Sequence, residues 1–192
     1  MALILASASA WKLAVLRRIG LEIEGLPHAV DEAAFVFGAD PVEGVRRLAG
    51  AKALSVSRGR SREDLVIGAD QVLCFEGGVH GKAATAAAAR ALLERLQGKR
   101  HRLLCGWALA RSDRVLAAGV EPVELTMRTL TPAQVRRYVE TGEWRGTAGG
   151  YRIEGVGRQL FSAVDGDHFA VVGMPVGSLL PALRAAGVAG LI

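Results

Sequence analysis

Aromatic side chains are scarce in this chain of 192 residues: 3 Trp, 2 Tyr and 5 Phe. A core of ordinary size must then be filled by aliphatic and small residues, and 32 Ala and 24 Gly are present to do it. Cysteine is scarcer still. Cys74 and Cys105 are too few for a disulfide framework or a Cys-rich zinc site. Each lies in an apolar run, the usual setting of a buried reduced thiol. Long hydrophobic runs are missing too. The longest, residues 169–183, is interrupted by Gly173, Pro175, Gly177 and Pro181, so no bilayer-spanning segment is expected. The first ten residues are apolar and small. No cation precedes them, however, and Lys12 follows them, so they read as a first β-strand rather than an export signal, and the chain is expected to be cytoplasmic. Lysine is the last shortage. Of 24 cations only Lys12, Lys52, Lys82 and Lys99 are lysines, leaving 20 arginines. A chain that carries its charge on Arg keeps its few lysines where a flexible point charge is wanted.

What remains is a globular composition: 51% apolar, 22% charged, net charge +5. The length suits one domain, or two small lobes sharing a cleft. Repeats, low-complexity tracts and linkers are not apparent, so residues 1–192 are taken as a single domain. Residues 2–6 read as a short buried strand. Ser9 caps a helix from 10 to about 19, and 21–30 is extended. Asp40-Pro41 with Glu43 opens a helix running to about 56. Residues 65–75 form a strand that is apolar except at Asp70 and Gln71, followed by a turn at Gly77-Gly78. Thr85 caps an Ala-rich helix ending at Gln97-Gly98. Residues 102–110 and 115–127 are strands joined at Ser112-Asp113. Thr131-Pro132 opens a helix closed by Gly142. A Gly-rich stretch over 146–157, a strand at 169–172 and a last helix over 177–186 complete the chain. Helices and strands alternate throughout, which predicts an α/β fold built on a mixed sheet with flanking helices.

Chemistry points first to Asp70. A carboxylate inside an apolar strand is costly unless it meets a metal, a cation or a reacting proton. The alternative is an Asp half-solvated at a strand end. Asp31-Glu32 ends an apolar extended segment; with Asp70 it offers hard oxygen ligands for Mg²⁺ or Mn²⁺. Ser7 and Ser9 lie where the first strand becomes the first helix, and a helix N-terminus attracts phosphate; a plain Ser cap is the alternative. Lys12 adds a cation there. Lys52 falls on the helix after Asp31-Glu32, and Lys82 follows the hairpin after Asp70. Three of four lysines thus stand beside a candidate site, a distribution suited to a triphosphate, the alternative being scattered surface lysines.

In order along the chain, Leu3-Ile-Leu-Ala-Ser7-x-Ser9, Asp31-Glu32, Ala51-Lys52-Ala53, Ile67-Gly-Ala-Asp70, Gly81-Lys82, Leu96-Gln-Gly98, His101, Gly106, Tyr138 to Glu143, Ala148-Gly149, Gly155 and Val172-Gly-Met-Pro175 resemble the blocks of the Maf family of nucleoside triphosphate pyrophosphatases. The resemblance covers nearly the whole chain. It implies two lobes around a deep cleft, of the Maf/ITPase-like kind, a divalent metal, often a homodimer, and hydrolysis of the α–β anhydride to a nucleoside monophosphate and pyrophosphate. It implies that Glu32 and Asp70 hold the metal and that Asp70 also activates water. Lys12, Lys52, Lys82 and the Ser7/Ser9 loop would then neutralise the triphosphate.

Departures from the family pattern bear on the substrate. Where Ser-x-Ser-Pro-Arg-Arg is common, this chain has Ala10-Trp11-Lys12; Gln71 replaces a common Thr after Asp70; Thr147 stands at a common Lys, and Glu154 at a common Gln. Trp11, Gln71 and Glu154 together resemble the branch acting on 7-methyl-GTP rather than the branch acting on dTTP and UTP. A methylated guanine carries positive charge, on which Trp11 would stack, and Glu154 would accept from the guanine edge. The other place for Trp11 is the core or an interface between lobes. A reading of another class is a regulatory or nucleic-acid-binding role, since the family is associated with inhibition of septum formation. A net charge of +5 and dispersed cations argue against nucleic acid.

Overall fold

A computed structural model describes residues 1–191. The chain runs β1 (Leu3–Ala6), α1 (Ala10–Arg18), β2 (Glu24–Leu26), α2 (Pro41–Ser57), β3 (Leu65–Phe75), β4 (Gly78–His80), α3 (Ala86–Leu96), β5 (Arg100–Arg111), β6 (Arg114–Met127), α4 (Pro132–Glu140), a 3-10 turn (Val156–Leu160), β7 (Phe161–Asp165), α5 (His168–Val171) and α6 (Val176–Ala185). Seven strands form one mixed sheet in the order β2-β1-β3-β5-β6-β7, with β4 also paired to β3. The fold is therefore α/β, as the alternation of elements predicts. β1 pairs in parallel with both β2 and the start of β3, whose end pairs antiparallel with β4. β1 is buried at every position, which is why it reads as an unbroken apolar run.

The helix starts are local and chemical. Ser9, Asp40, Thr85 and Thr131 each accept from a backbone N–H of the first turn, and Gln134 completes a capping box with Thr131. Three expectations need correction. Residues 169–172 are not a strand. His168–Val171 is a single helical turn capped by Asp167, whose Oδ1 accepts from Ala170 N at 2.7 Å. The strand is Phe161–Asp165 just before it, antiparallel to β6. The β3–β4 turn is Glu76-Gly77, not Gly77-Gly78. Phe75 pairs with Gly78, and both turn residues have positive φ, 50° and 76°, as the right-handed twist of a two-residue hairpin demands. Finally, of the extended stretch 21–30 only Glu24–Leu26 pairs into the sheet.

The chain divides into two compact units. The first comprises Met1–Asp70, Cys105–Glu121 and Gly173–Ile192. Its core includes Ile4, Ala6, Ala49, Ala53, Val66, Ala108 and Ala110. Small side chains dominate because α2 lies hard against the sheet. A Cβ on Gly68 of β3 would meet Ala49 O at 2.1 Å and Ala53 N at 2.7 Å; one on Gly106 of β5 would meet Val45 O at 2.7 Å. Only glycine admits a helix backbone this close. The second unit comprises Gln71–Leu104 and Pro122–Val172. There α3 buries Ala89, Leu92, Leu93 and Leu96 on one face, and α4 packs against it with Val135 and Tyr138 buried. His101, Tyr151 and Phe161 cluster beside them, their ring centroids 4.7 to 5.8 Å apart.

Candidate active site

The close approach of α2 to β3 determines what happens one turn along. Val45, Leu48, Ala49, Lys52 and Ala53 share the sheet-facing stripe of α2, and Lys52 is the only ionisable member. Gly68 and Asp70 lie on one face of β3, two residues apart. With Ala49 and Ala53 seated on Gly68, Lys52 is delivered to Asp70. Lys52 is 3% exposed and Asp70 7%. Lys52 Nζ donates to Asp70 Oδ1 at 2.5 Å and to Glu32 Oε1 at 2.7 Å. One buried ammonium thus joins two carboxylates that are 38 positions apart in sequence. Breaking such a group by removing one partner leaves an uncompensated charge, at a cost of about 3–5 kcal/mol. Asp31, by contrast, is spent locally: its Oδ1 accepts from Ala33 N and Ala34 N and stiffens the turn that presents Glu32.

Beside this group stands the N-terminus of α1. Ser7 Oγ accepts from Ser9 N at 3.1 Å, and Ser9 Oγ accepts from Lys12 N at 3.3 Å, so the two hydroxyls shape the β1–α1 connection. Lys12 Nζ donates to Ala69 O at 2.9 Å, the carbonyl preceding Asp70. The first turn of α1 has no acidic residue, and Lys12 lies in it. A cation at that end opposes the helix dipole by about 0.3–1 kcal/mol, a cost that an anion bound there would reverse. Trp11 is 46% exposed, so it is not a core residue.

His28 was not picked out by any spacing, yet it belongs here. Nε2 lies 3.2 Å from Glu32 Oε1. Burial, and then the Lys52 charge, hold its pKa below the usual imidazole value against the opposing pull of Glu32. The signal available in the sequence was weak: one of only four histidines, four residues before the acid.

Lys82, Gln71 and Glu154 belong to the second unit. Lys82 is exposed in the connection between β4 and α3. Gln71 Nε2 donates to Ala170 O at 2.8 Å and Val171 O at 3.0 Å, so both amide protons tie β3 to α5. Glu154 Oε1 lies 3.6 Å from Arg152 Nε. Nearby, Glu143 accepts from Val156 N and Gly157 N, and Tyr138 Oη accepts from Arg152 N. Burial pushes the Tyr138 hydroxyl up to about 12, which keeps it neutral in that role. These bonds order the Gly-rich stretch and the start of the 3-10 turn that ends it.

In the first unit, then, two acids, two ammonium groups and a hydroxyl-lined helix N-terminus come together, the donor set suited to phosphate and a hard cation. No group of three or more His, Cys, Asp or Glu side chains poised to hold a metal occurs among the described residues. No helix among them is long and apolar enough to cross a membrane.

The chain is 38% identical over 187 residues to a nucleoside triphosphate pyrophosphatase of Rhodopseudomonas palustris, covering 95% of this chain and 92% of that one. It is 41% identical over 174 residues to a dTTP/UTP pyrophosphatase of Symbiobacterium thermophilum (91% and 88% covered). It is 36% identical over 189 residues to a 7-methyl-GTP pyrophosphatase of Brucella abortus (95% and 94%). Among solved structures, a HAM1 protein from Coxiella burnetii shares the fold at 19% identity, with a TM-score of 0.51 over 96% of this chain and 99% of that one. A family model described as Maf-like protein matches residues 2–186, so the ordered run of motifs from Ser7 to Pro175 has its explanation: the chain belongs to the Maf family.

Proposed function

We propose that this chain is a nucleoside triphosphate pyrophosphatase whose preferred substrate is 7-methyl-GTP, cleaved between its α and β phosphates to a nucleoside monophosphate and pyrophosphate. The observation that carries the reading is the buried Lys52 ammonium held between Glu32 and Asp70. Membership of the Maf family and relatives named as nucleoside triphosphate pyrophosphatases support the reaction class.

In this reading a water oxygen forms a bond to the α phosphorus while the bond from that phosphorus to the bridging oxygen breaks. The electron pair leaves with pyrophosphate. Asp70 takes the proton of the attacking water as general base. Lys12 and the Ser7/Ser9 connection at the N-terminus of α1 receive phosphate oxygens. Lys52 holds both carboxylates in register, and Lys82 adds charge against the leaving group. Glu32 and Asp70 are anionic oxygen donors gathered around one ammonium, the residues that would hold Mg²⁺ or Mn²⁺. Such a cation would supply charge neutralisation of the phosphates.

The base preference rests on Trp11, Gln71 and Glu154. The indole is exposed beside Lys12, as a stacking platform for a cationic base must be. Glu154 accepts from the guanine edge. Gln71 acts through the α5 carbonyls it holds. The relative named dTTP/UTP pyrophosphatase favours a second reading, a pyrimidine substrate. Side-by-side turnover of 7-methyl-GTP, GTP, dTTP and UTP, with products separated, decides between them. The methylated nucleotide turned over most efficiently supports the first reading; dTTP or UTP in that place supports the second.

A further inference from the structure

His28 occupies the segment between β2 and α2, four residues before Glu32. Its side chain is 16% exposed. Nε2 lies 3.2 Å from Glu32 Oε1, the same oxygen that accepts from Lys52 Nζ at 2.7 Å. A carboxylate oxygen only accepts, so Nε2 carries a proton. Nδ1 is buried and has no hydrogen-bond partner among the described residues. Nε2 is thus the ring nitrogen that faces Glu32.

The Glu32 oxygen therefore meets two donors of different character. The Lys52 ammonium is a point charge with no directional preference about its own axis. It attracts the carboxylate without setting its plane. The imidazole is planar, its ring is mostly buried, and it lies on a segment fixed at the far side by the β2 pairing. A ring of that kind sets direction.

We propose that His28 is a positioning residue: its Nε2–H fixes the Glu32 carboxylate so that Glu32 and Asp70 address a common divalent cation. The inference rests on the reading of Glu32 and Asp70 as the acids that hold that cation. Outer hydrogen-bond partners of this kind change metal affinity by about 10- to 100-fold when removed.

The test is direct Mn²⁺ binding to the full chain, read as free Mn²⁺ by electron paramagnetic resonance, with no nucleotide present. His28→Leu is expected to weaken binding about 10-fold, with an equal rise in the Mn²⁺ concentration needed for half-maximal turnover. His28→Gln places an amide N–H where Nε2 stands and is expected to restore binding to within about threefold. His28→Asn reaches only the Nδ1 position and is expected to behave like Leu. The Gln/Asn pair keeps the comparison sound if Leu unfolds the chain. Wild-type affinity in His28→Leu, or equal affinity in the Gln and Asn variants, overturns the assignment. Glu32→Gln in the same assay separates the two levels of argument. If Glu32→Gln loses Mn²⁺ while every His28 variant retains it, the acids hold the cation and His28 has no part in it. If Glu32→Gln binds as wild type, the cation reading itself is wrong, and the proposal falls with it.

Discussion

Gly68→Ala is a single-methyl change whose consequence can be followed from the sheet to the chemistry. The new Cβ would stand 2.1 Å from Ala49 O and 2.7 Å from Ala53 N, both backbone atoms of α2. No rotamer relieves a clash with backbone, so α2 must move off β3 by about 1 Å to restore ordinary contact. Overpacking a core costs about 1–3 kcal/mol, and the upper end applies because the obstacle is a helix rather than a flexible side chain. For a chain of this size that is a fall in Tm of about 6–12 °C. The same movement draws Lys52, one turn from the contact, away from Asp70. Turnover should therefore fall by more than the loss of folded protein explains, by about 10-fold or more at a temperature where the variant is fully folded. Gly59→Ala is the control: its Cβ would find only Val56 O at 4.0 Å, and its φ is not positive. Thermal unfolding and pyrophosphate release measured on both variants decide the matter. A Gly68→Ala protein that melts and turns over like the Gly59→Ala protein would refute the claim that the α2–β3 contact sets the site.

Trp11→Ala should raise KM for 7-methyl-GTP about 10-fold, because base stacking on an aromatic ring is worth about 1–3 kcal/mol. Tm should be nearly unchanged, since the indole is half-exposed; equal KM for wild type and variant contradicts the stacking role. Acid should weaken the second unit through His101. Burial pushes its pKa down to about 4 from an ordinary 6.5, so the fold favours the neutral ring. Its contribution is fully present above pH 6.5 and is lost as pH falls toward 4. The loss is about 3 kcal/mol at most. Denaturant midpoints measured from pH 7 to pH 4 should fall less in His101→Gln than in wild type, and parallel curves would count against it.

The parts of this fold that could be read from sequence are those that local chemistry specifies. Ser9, Asp40, Thr85 and Thr131 cap helices through their own first turns, so each start was legible. The failures came where local preference conflicts with context. Phe169 to Val172 reads as a strand because it is apolar and β-branched, but Asp167 caps it and Gly173, at φ 90°, ends it. β7 went unseen because Ser162 and Ala163 are exposed on an edge strand, giving it no apolar signature. Asp70 was legible as a carboxylate inside an apolar strand, Glu32 as one of an acidic pair and Lys52 as one of few lysines. Their meeting was implied by the family resemblance but by no spacing, since it depends on a helix backbone resting on Gly68, a contact between residues far apart in the chain. A glycine inside an apolar strand was the available hint of a close approach. His28 gave less, because the segment carrying it has no helical or strand period to place it beside Glu32.

The central claim is that Asp70, held by Lys52, is the acid on which pyrophosphate release depends. Asp70→Asn keeps the shape of the side chain and an oxygen to accept from Lys52, and it removes only the charge and the basicity. With folding verified by thermal melt, kcat for pyrophosphate release should drop by about 10²–10⁴-fold. A folded Asp70→Asn protein that releases pyrophosphate at the wild-type rate would contradict the account.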